Sequence, residues 1–105
     1  MTDSYVQVNI GRKFPNGISM TNWEWLQFQV GVVHALHNSM RTPKPIEDHR
    51  GRGLTPDGSA EDSLHFSVVN ADVDLFVLRH KLKALAKRFE QDCIALIVGS
   101  ELIRG

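Results

Sequence analysis

The order in which hydrophobic periodicities follow one another along the chain constrains its fold more than any single motif. Tyr5-Val6-Gln7-Val8-Asn9-Ile10 alternates, with Val6, Val8 and Ile10 on one face and Tyr5, Gln7 and Asn9 on the other, the period-two pattern of a half-buried strand. Gly11 ends it, and Pro15-Asn16-Gly17 is a turn signal inside the loop from Arg12 to Met20. Thr21 followed by Glu24 is a capping box, which starts a helix running to about Ser39 or Met40. Leu64 to Val69 alternates again, with Leu64, Phe66 and Val68 inward. Leu75, Leu78, Leu82, Leu85 and Phe89 then recur at spacings of three and four behind a cap at Asp72 or Asn70. Cys93 to Val98 is a continuous apolar run of strand length, expected to be covered on both sides at least in part. With a short second strand within Pro45 to Arg52, the order is β-α-β-β-α-β. It predicts an α+β ferredoxin-like sandwich, two helices on one face of a four-stranded antiparallel sheet.

At 105 residues the chain is long enough for one two-layer core, so a single domain over 1–105 is expected. The stretch 41–62 reads as an irregular loop with the short strand inside it, because Pro43, Pro45, Gly51, Gly53, Pro56 and Gly58 interrupt any long element. Twelve Lys and Arg balance twelve Asp and Glu, which argues against long-range steering to DNA or a membrane and leaves local patches as the only electrostatic handles. No apolar run reaches the length of a membrane span, and the first residues lack a basic, apolar signal segment. Cys93 has no partner for an internal disulfide and reads as a buried thiol of a reduced protein, so a cytoplasmic location is expected, the host cytoplasm if a phage encodes the chain.

The first helix carries two apolar faces. Trp23, Leu26, Val30, Val33 and Met40 form one, and Trp25, Phe28, Val32 and Leu36 form the other. A helix on one sheet needs only one such face. The stripe Trp25, Phe28, Val32 and Leu36 is therefore expected to meet another chain, most simply in a homodimer, unless the second helix or a loop covers it.

Three places could carry function. In a ferredoxin-like sheet the first and third strands are central, so Tyr5, Gln7, Asn9, His65 and Ser67 should meet on the face that no helix covers. Single-stranded nucleic acid is bound on such faces by aromatic rings, and Tyr5 is the only ring placed to help. On the second helix, Arg79, Lys83, Lys87 and Arg88 lie opposite the leucine stripe and could dock on an acidic protein surface or nucleic acid, or form an ordinary solvated face. His37-Asn38-Ser39 and His65-Phe66-Ser67 resemble the paired His-x-Ser/Thr motifs of two-histidine phosphoesterases, in which two imidazoles act on one phosphate as base and acid. His37 falls near the end of the first helix, at the centre of its apolar face, where a core histidine is the competing account. No metal-ligand spacing, nucleophile pair or cofactor motif stands out, so no catalytic residue, metal or cofactor is assigned.

Asn9-Ile10-Gly11-Arg12, the Pro15 to Met20 loop before a Trp-bearing helix, Gly51-Arg52-Gly53, Glu61-Asp62-Ser63 and Gln91-Asp92-Cys93-Ile94-Ala95-Leu96 together resemble small ferredoxin-like proteins of actinobacterial phages. The resemblance covers most of the chain. It implies the fold and a phage setting, and through that setting a host macromolecule as partner, while supplying no catalytic residues. The function expected from the sequence is a small non-catalytic interaction or regulatory protein, with single-stranded nucleic-acid binding or a phosphoesterase-like enzyme as alternatives.

Overall fold

The computed structural model describes residues 5–54 and 60–99. Its elements are β1 (Tyr5–Gly11), α1 (Asn22–Ser39), β2 (Glu47–Leu54), β3 (Ala60–Val69), α2 (Leu75–Arg88) and β4 (Ala95–Gly99). The strands form one four-stranded sheet in the order β2-β3-β1-β4, with every neighbouring pair antiparallel. This is the ferredoxin-like α+β layout.

The alternation in the two central strands decides where the core lies. Val6 faces Val68, Val8 faces Phe66 and Ile10 faces Leu64 across the ladder, and all six are buried on one side of the sheet. Trp25, Phe28, Val32, Ala35 and Leu36 of α1 complete that core with Leu78 and Leu82 of α2 and with Phe89. Both helices thus occupy the same face. The Phe28 ring stacks on Phe89 at 4.8 Å between centroids, and Trp25 meets Phe28 edge-on at 6.2 Å. Gly31 permits the close approach of the helices, since a Cβ there would stand 2.6 Å from Leu85 Cδ2.

The capping box at Thr21 forms as expected, with Glu24 N–H donating to Thr21 Oγ1 and Thr21 N–H donating to Glu24 Oε1. Several expectations are corrected. The stripe Trp25, Phe28, Val32 and Leu36 is not an interface between chains but the centre of the core, because α1 lies against both the sheet and α2 and turns that stripe inward. The outward face carries Trp23, 68% exposed, with Leu26 and Val30. Asp74, rather than Asp72 or Asn70, caps α2 and accepts from Val77 N–H, while Asp72 pairs with Arg41 at 3.0 Å. The stretch 41–62 is less irregular than its prolines and glycines suggest. The strand within it runs to Leu54, and β3 begins at Ala60, because ladder pairing offsets the weak strand propensity of Gly51 and Gly53; the part at 55–59 lies outside the described residues. Finally, Cys93 precedes β4 and is exposed, and β4 is an edge strand whose Ile97 and Val98 are 47% and 46% exposed, so its apolar run is not covered on both sides.

Candidate functional site

A cleft opens where β1 leaves the sheet, and local sequence builds it. Beyond Gly11 the chain makes a tight hairpin: Lys13 bridges Ser19, Phe14 N–H donates to Ile18 O at 2.9 Å, and Met20 N–H donates to Arg12 O at 2.9 Å. Gly17 turns the tip at φ +86°, a conformation that L side chains rarely adopt. Arg12 fastens the hairpin to its surroundings, with Nε donating to Met20 O, Nη2 to Asn22 Oδ1 at 2.6 Å, and Nη1 lying 3.8 Å from the Asp62 carboxylate.

Glu61 of β3 reaches over Gly11 and accepts from Lys13 N–H at 2.7 Å. Only glycine admits this arrangement, since a Cβ at position 11 would stand 2.4 Å from Glu61 Oε1. From the far end of the chain Gln91 donates to Lys13 O at 3.3 Å and to Phe89 O at 3.2 Å, which brings the segment between α2 and β4 against the hairpin. The cleft so formed, about 540 Å³, is lined by Gly11, Lys13, Phe14, Glu61, Asp92 and Cys93 together with the hairpin tip. Its volume falls within the roughly 300–1,000 Å³ of small-molecule sites. Its lining carries one aromatic ring, the two carboxylates of Glu61 and Asp92, the Lys13 side chain and the Cys93 thiol, so it can meet a ligand that combines a flat ring with charged groups.

The open sheet face brings together all the residues expected there. Asn9 stands opposite His65 and Gln7 opposite Ser67. The Tyr5 hydroxyl donates to Gln7 Oε1, and Gln7 Nε2 donates to Asn9 Oδ1 at 2.7 Å, so the polar side of β1 is an ordered chain of hydrogen bonds. β2 adds two groups to this face: His49 opposite His65, and Glu47 opposite Ser67, with the His49 imidazole 3.8 Å from the Glu47 carboxylate. The histidine pair anticipated between His37 and His65 does not form. His37 is exposed on the helix side, in a groove beside Ile46, Asp48 and Phe66, and the sheet separates it from His65. Among the described residues no three His, Cys, Asp or Glu side chains converge as a metal site.

The basic residues of α2 divide. Arg79, Lys83 and Lys87 border a groove between α2 and β4, whereas Arg88 lies beside α1 with its guanidinium 5.1 Å from the centroid of the Phe89 ring. No helix among the described residues is long and apolar enough to cross a membrane.

No motif marks the cleft, yet its parts are visible in the sequence. Gly11, Glu61 and Gln91-Asp92-Cys93 belong to the short segments that carry the resemblance to phage proteins, and the fold converges them from three places in the chain. No family model matches the chain, and no curated protein does. Among solved structures, the chain is similar to a phage SAM lyase in complex with S-methyl-5'-thioadenosine, with a TM-score of 0.56 and 10% identity over 92% of this chain and 80% of that one. A phage SAM lyase in the apo state gives a TM-score of 0.55 and 12% identity over 94% and 81%. At this identity the likeness carries the fold.

Proposed function

We propose that the cleft of Gly11, Phe14, Glu61 and Asp92 binds S-adenosylmethionine and that the protein is a phage-encoded lyase acting on this host metabolite. The observation that supports it is chemical fit. An aromatic ring and two carboxylates line one cleft of suitable volume, in a fold shared with a phage SAM lyase. Phe14 suits the adenine ring, and Glu61, fixed by Lys13 N–H, presents a negative charge to the sulfonium.

S-methyl-5'-thioadenosine is what remains of S-adenosylmethionine when the bond from sulfur to the amino-acid side chain breaks. In that step sulfur keeps the bonding pair and becomes a neutral thioether. The carbon it leaves is satisfied from within the substrate, by ring closure through its own carboxylate, so neither water nor an external base is consumed. Glu61 acts here as an electrostatic and positioning group, and Asp92 as a partner for the substrate's ammonium or ribose hydroxyls.

Titration of the full chain with S-adenosylmethionine and with S-methyl-5'-thioadenosine, followed by chromatographic product analysis, tests this. Saturable binding of both, weakened by Glu61→Gln and Phe14→Ala, and release of the thioether support it. The absence of binding by either ligand overturns it.

A second reading is a non-catalytic protein that docks on a host macromolecule in the host cytoplasm, and the exposed cations of α2 favour it. Binding of S-adenosylmethionine without turnover would move the weight to that reading. Nucleic-acid binding on the open sheet has less support. Tyr5, whose hydroxyl is engaged with Gln7, is joined on the described part of that face only by the imidazoles of His49 and His65 as rings for stacking.

A further inference from the structure

The two edges of the sheet differ. β2 carries Glu47, Asp48, His49, Arg50 and Arg52, the charged composition that protects an edge from unwanted pairing. β4 reads Ala-Leu-Ile-Val-Gly, with no charge and no proline. It pairs with β1 on one side, and among the described residues no strand pairs with its outer edge. Beside that edge lies a groove of about 740 Å³, with Leu82, Leu96 and Val98 among its apolar lining and Arg79, Lys83 and Lys87 along its helical wall. The three cations are exposed, and among the described residues none has an ion-pair partner.

We propose that this groove receives an extended acidic segment of a partner protein, which adds to the sheet as a fifth strand on the outer edge of β4. Strand addition supplies main-chain hydrogen bonds, and pockets for alternate side chains supply specificity. The cations recur every fourth residue of a helix, which is about 6.0 Å along its axis. Alternate residues of a strand advance about 6.6 Å. An added strand running alongside α2 therefore presents every second side chain in step with Arg79, Lys83 and Lys87. Over the three cations the mismatch grows to only about 1.2 Å, within the reach of flexible lysines.

The pattern recognised is Glu-x-Glu-x-Glu. The methylenes of glutamate cover Leu82, Leu96 and Val98, and its carboxylates meet the cations. The intervening residues face the open side of the sheet beside exposed Ile97, which suits valine or isoleucine. Asp92 borders the Lys87 end and repels a further acid there, so the acidic run stops after the third position. Nucleic acid fits less well, because none of the residues lining the groove is aromatic and bases would have nothing to stack on. The groove shares Gln91, Asp92 and Cys93 with the cleft but contains neither Glu61 nor Phe14, so Glu61→Gln and Phe14→Ala report on the cleft while Arg79→Glu with Lys83→Glu reports on the groove.

The test is fluorescence anisotropy of the full chain with a labelled peptide carrying Glu-Val-Glu-Val-Glu between neutral polar flanks. Three comparison ligands accompany it: a peptide of equal composition with the glutamates grouped, the alternating peptide N-methylated at its valines, and a thymidine oligonucleotide of equal charge. The expected result is saturable binding of the alternating peptide. Grouping the acids, N-methylation, or the double substitution Arg79→Glu with Lys83→Glu each weakens it by about tenfold or more. Circular dichroism shows the double variant folded, since both side chains are exposed. Equal binding of all peptides regardless of order and methylation would reduce the groove to unspecific charge attraction and overturn the proposal. So would tighter binding of the oligonucleotide, or no binding of the alternating peptide.

Discussion

At the scale of single residues, Gly11 and Glu61 form the most consequential pair. The missing Cβ at position 11 is what lets the Glu61 carboxylate lie over the strand end and accept from Lys13 N–H. In Gly11→Ala the new methyl meets the end of a flexible side chain, so the carboxylate swings away and the sheet persists. The lost charge-assisted hydrogen bond costs about 1.5–3 kcal/mol and the lower entropy of the unfolded chain returns about 0.5–1. Urea unfolding should therefore show a net loss of about 1–2 kcal/mol, while titration with S-adenosylmethionine should show binding weakened as in Glu61→Gln. Weaker binding without collapse of the fold would separate a site residue from a core residue. None of this could be read from the sequence, where Gly11 marks only the end of a strand. A glycine that ends an element and one that makes room for a side chain fifty residues away look alike until register brings Ser63 opposite Gly11 and so sets Glu61 beside it.

Elements with a strong period were legible, and those held by pairing were not. The leucines of α2 point where their spacing says, with Leu78 fully buried and Leu82 nearly so. Leu78→Ala should cost about 2–5 kcal/mol in denaturant unfolding, the usual range for a core leucine truncated to alanine. The cap of that helix is Asp74 and not the Asp72 or Asn70 expected from the sequence. Asp72 and Asp74 are equivalent by type, and only the backbone decides which one reaches the free N–H of Val77. Asp74→Ala should therefore destabilise by about 1 kcal/mol, as removal of an N-cap does. Asp72→Ala should change stability by less than about 0.5 kcal/mol, because its pair with Arg41 is exposed on both sides; equal losses for the two variants would show that the helix starts elsewhere. In β2 the information lies in the partner strand. Gly51-Arg52-Gly53 has no strand signature of its own, and Ser63, Asp62 and Glu61 opposite it hold the register.

For the molecule as a whole, burial decides which aromatic residues matter. The sequence carries two apolar faces on α1, and the one expected at an interface is the one that fills the core, since periodicity reports that a face is apolar but not which neighbour it meets. The fold turns Phe28 inward, stacked on Phe89, and leaves Trp23 at 68% and Phe76 at 81% exposure. Phe28→Ala should cost about 3–5 kcal/mol, and Phe28→Glu should yield an unfolded chain rather than a folded monomer released from a dimer. Trp23→Ser and Phe76→Ser should lie within about 0.5 kcal/mol of the parent. Light scattering and thermal unfolding on this set check the assignment together, and a folded, soluble Phe28→Glu would refute it. The hydrogen bond from Gln91 to Lys13 O joins residues 78 positions apart. The cleft therefore depends on a contact between distant parts of the chain. The pocket exists only where the segment after α2 lies against the first hairpin, so any ligand it holds would act as a clasp between the two and would slow their separation.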